Sequence, residues 1–207
     1  MAEPRHLAEL EDAVGALLAW AETNGVPVLV IGGVAVSLLS RPRTTKDVDA
    51  VVWLPDHEDW PAFLKAGERH GLAPRIPDPI GFALRSRVLL LRHAGSGVPL
   101  DVSMGALPFE ENAIRHAIPT EVGRYLVPLP TPEDLLIMKA VAHRSRDAAD
   151  IESILNAHPN MDIERVLATV REFAEALEAP EIVDDLVRLL PKSHPRKPKR
   201  TSRGRKR

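Results

Sequence analysis

Residues 28–52 read VLVIGGVAVSLLSRPRTTKDVDAVV, and the order of elements inside this stretch decides the fold. An apolar strand over 27–31 runs into Gly32 and Gly33, and a short helix is expected over 34–40. The chain then returns through Arg41 to Lys46 into a second apolar strand, 48–54, opened by Asp47-Val48-Asp49. Alternate side chains of a strand share a face, so Asp47 and Asp49 point one way while Val48 points into the core. Two carboxylates fixed on one face of a sheet suit a hard divalent cation such as Mg²⁺, which keeps several waters and takes its remaining ligands from phosphates; Mn²⁺ accepts the same oxygen donors. The glycine pair offers a place for those phosphates. Backbone without Cβ allows close approach, and the following helix N-terminus presents free N–H groups to an anion.

Taken singly, Gly-Gly after a strand is an ordinary tight turn and Asp-x-Asp an ordinary solvated pair. Here they sit on consecutive strands joined by one short helix, with Arg41, Arg43, Thr44, Thr45 and Lys46 leading into the acids. The pattern of an apolar residue, Gly-Gly, thirteen residues, then Asp, apolar, Asp, apolar resembles the signature of the DNA polymerase β-like nucleotidyltransferase superfamily. The approach through Arg43, Thr44, Thr45 and Lys46 is similar to that of its bacterial AbiEii-type toxin branch. The resemblance implies an α+β fold, a mixed sheet flanked by helices with a helical C-terminal part. It implies transfer of a nucleotide from an NTP to an acceptor hydroxyl with release of pyrophosphate, Asp47 and Asp49 binding the metal and Gly32 and Gly33 the nucleotide. In the superfamily the second glycine position is frequently Ser, whose hydroxyl touches a phosphate. With Gly33 in its place that contact is expected from backbone N–H, with Ser37 or Thr45 as substitutes.

At 207 residues the chain has room for one domain with a helical appendage. The absence of cysteine rules out disulfides, thiolate metal sites and a cysteine nucleophile. No apolar run approaches the roughly eighteen residues a membrane span needs, and the first residues, MAEPRHLAELED, lack an apolar signal core. A cytoplasmic location without a membrane partner is expected. The net charge of -2 conceals a division: from Pro191 onward PKSHPRKPKRTSRGRKR carries nine Lys or Arg and no acid, leaving eighteen basic against twenty-nine acidic residues, a body of -11. Such a segment buries too little to fold, so 191–207 reads as a disordered tail. It serves either to attract nucleic acid or to shield the acidic body.

Leu7, Leu10, Val14, Leu17, Leu18 and Ala21 recur at helical spacing over 5–24. A helix is expected over about 57–70 and a proline-rich loop over 74–79. Two apolar runs, 87–92 and 99–104, flank the turn His93-Ala94-Gly95-Ser96-Gly97 and read as a hairpin. Asp101, between Leu100 and Val102, is either an outward-facing acid on a half-exposed strand or, as the resemblance implies, the third carboxylate of the site, helping to hold the metal or taking the proton of the attacking hydroxyl. Residues 107–117 read as a helix and 118–129 as a short strand pair around Gly123.

Thr131-Pro132-Glu133-Asp134 carries an N-cap residue, Pro at the first helical position and an acid at the third, so a helix starts there. From Leu135 to Ala142 only Lys139 is polar. A buried ammonium requires an anion, supplied either by an acid of the sheet or by nucleotide phosphates. The AbiEii-type branch has a lysine at this point of a similar helix. His143 to Ile151 resembles the same branch's Arg-Asp-x-x-Asp-Ile motif. Asp147 is explained by the dipole of the helix it begins; Asp150 reads as a site residue that orients Lys139 or an arginine. His143 reads as a surface residue. Helices over 162–178 and 180–190 are assigned to packing, with Val166, Leu167, Val170, Phe173, Ala174 and Leu177 as one stripe.

The resulting organisation is a nucleotidyltransferase α/β domain over 1–130, a helical region over 131–190 closing over the nucleotide, and the tail. The site comprises Asp47, Asp49 and Asp101 for metal and catalysis, Lys139 on the phosphates, and Gly32, Gly33, Ser37, Arg43, Thr45 and Asp150 around the nucleotide. Toxins of the branch transfer nucleotides to RNA, tRNA in particular, and are paired with antitoxins, so the resemblance implies these partners. Transfer to a protein hydroxyl, or NTP or partner binding without turnover, are the other readings.

Overall fold

The computed structural model describes residues 4–191; the expected tail, beyond Pro191, lies outside the described residues. The chain runs α1 (Pro4–Thr23), β1 (Val28–Ile31), α2 (Gly32–Leu39), β2 (Val48–Val52), α3 (Trp60–Gly67), β3 (Leu72–Pro74), α4 (Pro79–Ser86), β4 (Val88–His93), β5 (Pro99–Met104) and α5 (Pro108–Arg115). A two-stranded ribbon, β6 (Ile118–Val122) and β7 (Tyr125–Leu129), leads into α6 (Pro132–Ala142), α7 (Asp147–Ala157), α8 (Ile163–Ala176) and α9 (Glu181–Leu189).

Five strands form one mixed sheet in the order β1-β2-β5-β4-β3, in which only β2 and β5 are parallel. Side-chain alternation divides the sheet into two faces. Val48, Ala50 and Val52 of β2, Leu100, Val102 and Met104 of β5, and Leu89 and Leu91 of β4 are buried. Asp49, Asp101, Ser103 and Leu90 look out from the other face, half-buried. Helix α1 packs on the sheet through the expected stripe, Leu10, Val14, Leu17 and Ala21, whereas Leu7 in its first turns is exposed. Trp20 stacks on Phe63 of α3 at a centroid separation of 3.9 Å and donates from Nε1 to Phe63 O at 2.9 Å.

Three further expectations need correction. The helix placed at 57–70 begins at Trp60 and tightens into a 3₁₀ turn over Glu68–His70. The loop placed at 74–79 contains the end of β3 and the start of α4. Proline is tolerated at both ends for one reason: Pro74 lies on the sheet's outermost strand and Pro79 at the first turn of a helix, positions where its missing N–H is not required. Asp78 caps α4 by accepting from Gly81 N at 2.9 Å. Leu177, assigned to the buried stripe of the penultimate helix, is 56% exposed because α8 ends before it.

The helical end begins as the sequence dictates, with Thr131 Oγ1 accepting from Asp134 N at 3.1 Å and Pro132 in the first turn. Helix α6 is enclosed by α2, α7, α8 and α9, and its apolar residues join the core of the sheet without a break. Contacts from α7 anchor the segment that precedes β2: Ser153 Oγ accepts from Arg41 N at 3.2 Å, and the His158 ring meets Leu39 O at 2.6 Å. The loop carrying Arg43 and Thr45 is therefore held between sheet and helices.

Candidate active site

The sheet's register brings the acids together. Across β1, β2, β5 and β4 the residues Ile31, Asp49, Asp101 and Leu90 stand opposite one another in a row, so Asp49 and Asp101 project from one face at adjacent strand positions. Asp47, two residues before Asp49, joins them from the entry to β2, and all three line a cleft of about 470 Å³ whose opposite wall includes Lys139, Arg144 and Arg146. That size falls within the range of small-ligand sites.

Asp49 sits at the centre. Gly32 has φ +62, and a Cβ on it would lie 1.9 Å from Asp49 Oδ2; only glycine lets the strand end turn past the carboxylate. The backbone of Gly33, expected on a phosphate, also faces Asp49 and favours its charged form. Burial holds the Asp49 carboxyl above the usual carboxylate range, and the charges of Asp47 and Asp101 push it the same way, against a smaller opposing pull from Lys139 and Gly33. Asp47 Oδ1 accepts from Thr45 Oγ1 at 2.9 Å. Asp101 is ion-paired with Arg75. With two of the acids so engaged, no three His, Cys, Asp or Glu side chains among the described residues are drawn into one ligand cluster. The donor set nevertheless fits a hard cation, because three oxygen-bearing groups share a face and the central one bears the cost of two like charges.

Lys139 is buried, and its ion-pair partners among the described residues lie on α7. Its Nζ lies 3.0 Å from Asp147 Oδ1 and 2.8 Å from Asp150 Oδ2. Asp150 also takes Arg43 in a two-point grip, Oδ1 to Nε at 3.0 Å and Oδ2 to Nη2 at 3.2 Å. Asp150 thus orients both the lysine and an arginine. The helix-dipole account of Asp147 is incomplete: its side chain is 2% exposed and also accepts from Arg144 N at 3.1 Å. His143 is exposed, as expected, and pairs with Asp185 at 2.9 Å. Ser37 Oγ lies within reach of Gly33 O (2.9 Å) and Arg43 O (3.0 Å) and stays outside the cleft lining.

The model of one protein family, the nucleotidyl transferase AbiEii toxins of type IV toxin–antitoxin systems, matches residues 16–205. The chain belongs to the AbiEii nucleotidyl transferase toxin family. Nucleotidyl transfer is therefore its chemistry, from an NTP to a nucleophilic acceptor. Two solved structures are similar to this AbiEii-family chain in fold. The solution structure of the antibiotic-resistance factor ANT(2'')-Ia has a TM-score of 0.54 at 16% identity, covering 83% of this chain and 95% of that one. The crystal structure of ANT(2'')-Ia in complex with adenylyl-2''-tobramycin has a TM-score of 0.51 at 16% identity, covering 80% and 97%. No curated protein matches the chain in sequence.

In this AbiEii-family chain the space of a residue-33 side chain is already taken. A Cβ on Gly33 would meet Thr45 Oγ1 at 2.5 Å and Arg43 Nη2 at 3.1 Å. Threonine and arginine from the loop thus occupy the position of the serine frequent in the wider superfamily. Gly33→Ser is expected to cost about 1–3 kcal/mol of stability from overpacking; adding Thr45→Ala, which removes the nearer contact and leaves the Thr45 Cβ at 2.9 Å, should recover part of the melting temperature but no transfer activity, because the hydroxyl on Asp47 is lost with it. Lys46, Arg144, Arg146 and Asp147 are charged residues of the cleft lining that sequence reasoning left out of the site, and Arg75, outside that lining, reaches the site through its ion pair with Asp101. Arg146 and Asp147 are within the Arg-Asp-x-x-Asp-Ile motif and could have been read from it, whereas Arg75 follows a proline inside an apparent loop and gives no local signal.

Proposed function

We propose that this protein is a Mg²⁺-dependent nucleotidyltransferase, with Mn²⁺ as an alternative ion, that transfers an NMP from an NTP to a hydroxyl of RNA, tRNA in particular, as the toxin of a toxin–antitoxin pair. The observation that carries the reading is the registered row of Asp49 and Asp101, with Asp47 beside it, facing the wall of Lys139 and Arg43 across the cleft. Asp47 and Asp49 would hold the cation. When bound, it neutralises charge on the triphosphate and polarises the α-phosphorus.

Each remaining step falls to a side chain. Asp101 accepts the proton of the acceptor hydroxyl as its oxygen bonds the α-phosphorus; the bond from the α-phosphorus to the β-bridging oxygen breaks, and pyrophosphate leaves. Lys139 uses two ammonium protons on Asp147 and Asp150, and its third is available to a phosphate oxygen. Because those acids fix Lys139 and Arg43 beforehand, little reorganisation is needed as charge develops. Lys46, Arg144 and Arg146 line the cleft and offer charge to an anionic acceptor, which favours RNA over a neutral protein hydroxyl. No helix among the described residues is long and apolar enough to cross a membrane, and an intracellular acceptor is in keeping with the proposal.

The test offers each of four α-labelled NTPs with Mg²⁺ to total tRNA, to the protein itself and to tobramycin, the last because ANT(2'')-Ia is seen with adenylyl-2''-tobramycin. Label on tRNA from one NTP is expected. Label confined to protein or to tobramycin would replace RNA as the acceptor.

A further inference from the structure

The row of registered residues continues past Asp101. Leu90 faces Asp101 across β4 and β5, and the backbone N–H of Arg75 donates to Leu90 O at 3.0 Å, one step beyond the last β3 pairing of Pro74 with Leu91. Arg75 therefore ends the row on the face that carries the acids, and its guanidinium is ion-paired with Asp101. Among the described residues Asp101 is the one member of the acidic trio in an ion pair. The partners are accessible, with side chains 29% and 38% exposed, and a pair so placed contributes little to stability. Arg75 follows the outermost strand of the sheet and has no other side-chain partner among the described residues.

The guanidinium, through Nη2, occupies one oxygen of the carboxylate that takes the proton of the attacking hydroxyl and neutralises part of the charge that would draw that proton. A phosphodiester competes well for that guanidinium, since Arg binds phosphate with the same two-point fork it offers a carboxylate. In a nucleic acid the ribose hydroxyl lies a few bonds from such a phosphate. Water and a neutral hydroxyl bring no anion. We propose that Arg75 is an acceptor sensor: it holds Asp101 until a phosphate of the nucleic-acid acceptor draws the guanidinium away and frees the carboxylate for the adjacent hydroxyl. This rests on the RNA reading above. It adds a reason for the enzyme not to consume NTP on water, a reaction in which a water oxygen bonds the α-phosphorus, pyrophosphate leaves and an NMP is formed.

The experiment compares the full chain with Arg75→Met, which removes the cation, and Arg75→Lys, which keeps charge without the fork. In Arg75→Met, acceptor-free conversion of NTP to NMP and pyrophosphate should rise about threefold to tenfold, the range for one partly exposed charge-assisted contact. KM for an RNA oligonucleotide should rise by a similar factor, and transfer to a nucleoside, which has hydroxyls and no phosphate, should not fall. The affinity of the nucleotide-free protein for Mn²⁺, read from the resonance of the free ion, should tighten as Asp101 loses its resident cation. Arg75→Lys should lie between. Unchanged hydrolysis or unchanged Mn²⁺ affinity in Arg75→Met, with its melting temperature retained, would overturn the sensor, as would a parallel fall of transfer and hydrolysis at constant KM. A wild-type protein that labels no RNA would instead count against the RNA reading, and is seen without any variant.

Discussion

Asp49→Asn should reduce nucleotidyl transfer by about a thousandfold or more, the loss of several kcal/mol of charge stabilisation at the reacting phosphate, and should at the same time make the protein more stable at neutral pH. Both effects have one origin. The Asp49 carboxyl is raised above its ordinary value of 3.8, first by burial and then by Asp47 and Asp101. The folded state thus holds the Asp49 proton more tightly than the unfolded state does. The cost to stability is full above the folded pKa, shrinks as pH falls through it, and is gone below 3.8. Asn cannot ionise and removes the cost. Melting should therefore shift upward at pH 7, by about 2–4 °C for each kcal/mol regained in a chain of this size, and the shift should fade toward pH 4. A variant inactive and less stable at pH 7 would show that Asp49 is held by favourable contacts instead of being confined among like charges.

Lys139→Met carries the opposite expectation. Lys139, Asp147 and Asp150 all lie below 10% side-chain exposure, at 9%, 2% and 7%, and removing the cation leaves two buried carboxylates with reduced compensation. Breaking a buried pair in this way costs about 3–5 kcal/mol, which lowers the melting temperature by about 6–20 °C, and transfer should be lost with it. Lys139→Met/Asp147→Asn/Asp150→Asn removes the orphaned charges together and should recover most of the melting temperature while remaining inactive. Arg43, 36% exposed, can turn to solvent when Asp150 is neutralised. If the single variant melts like the wild type, Lys139 is not needed by the helical region and its burial has another basis.

What was legible in the sequence was local. Period-two alternation around Asp47-Val48-Asp49, the Gly-Gly turn and the Thr131-Pro132 cap each fix their own geometry within a few residues, and the mixed sheet and the start of α6 follow from them. Placement of Asp101 opposite Asp49 depended on pairing distant strands, which a hairpin pattern suggests but does not register. The partners of Lys139 were harder still. Asp147 and Asp150 stand eight and eleven residues away on the next helix, and only the turn at His143, with φ +47, brings them back onto the lysine. Prolines at 74 and 79 argued for a loop because a sequence does not reveal which N–H groups lack a use. That one misreading concealed β3, α4 and Arg75, the cation nearest the third carboxylate.

One measurement bears on acids, metal and reaction together: counting pyrophosphate released and α-label retained on acceptor, for wild type and Asp47→Asn/Asp49→Asn, in Mg²⁺ and in chelator. One pyrophosphate for each label, formed by the wild type in Mg²⁺ alone, is the predicted result. Transfer that persists in chelator, or in the double variant, would contradict a site built on Asp47 and Asp49.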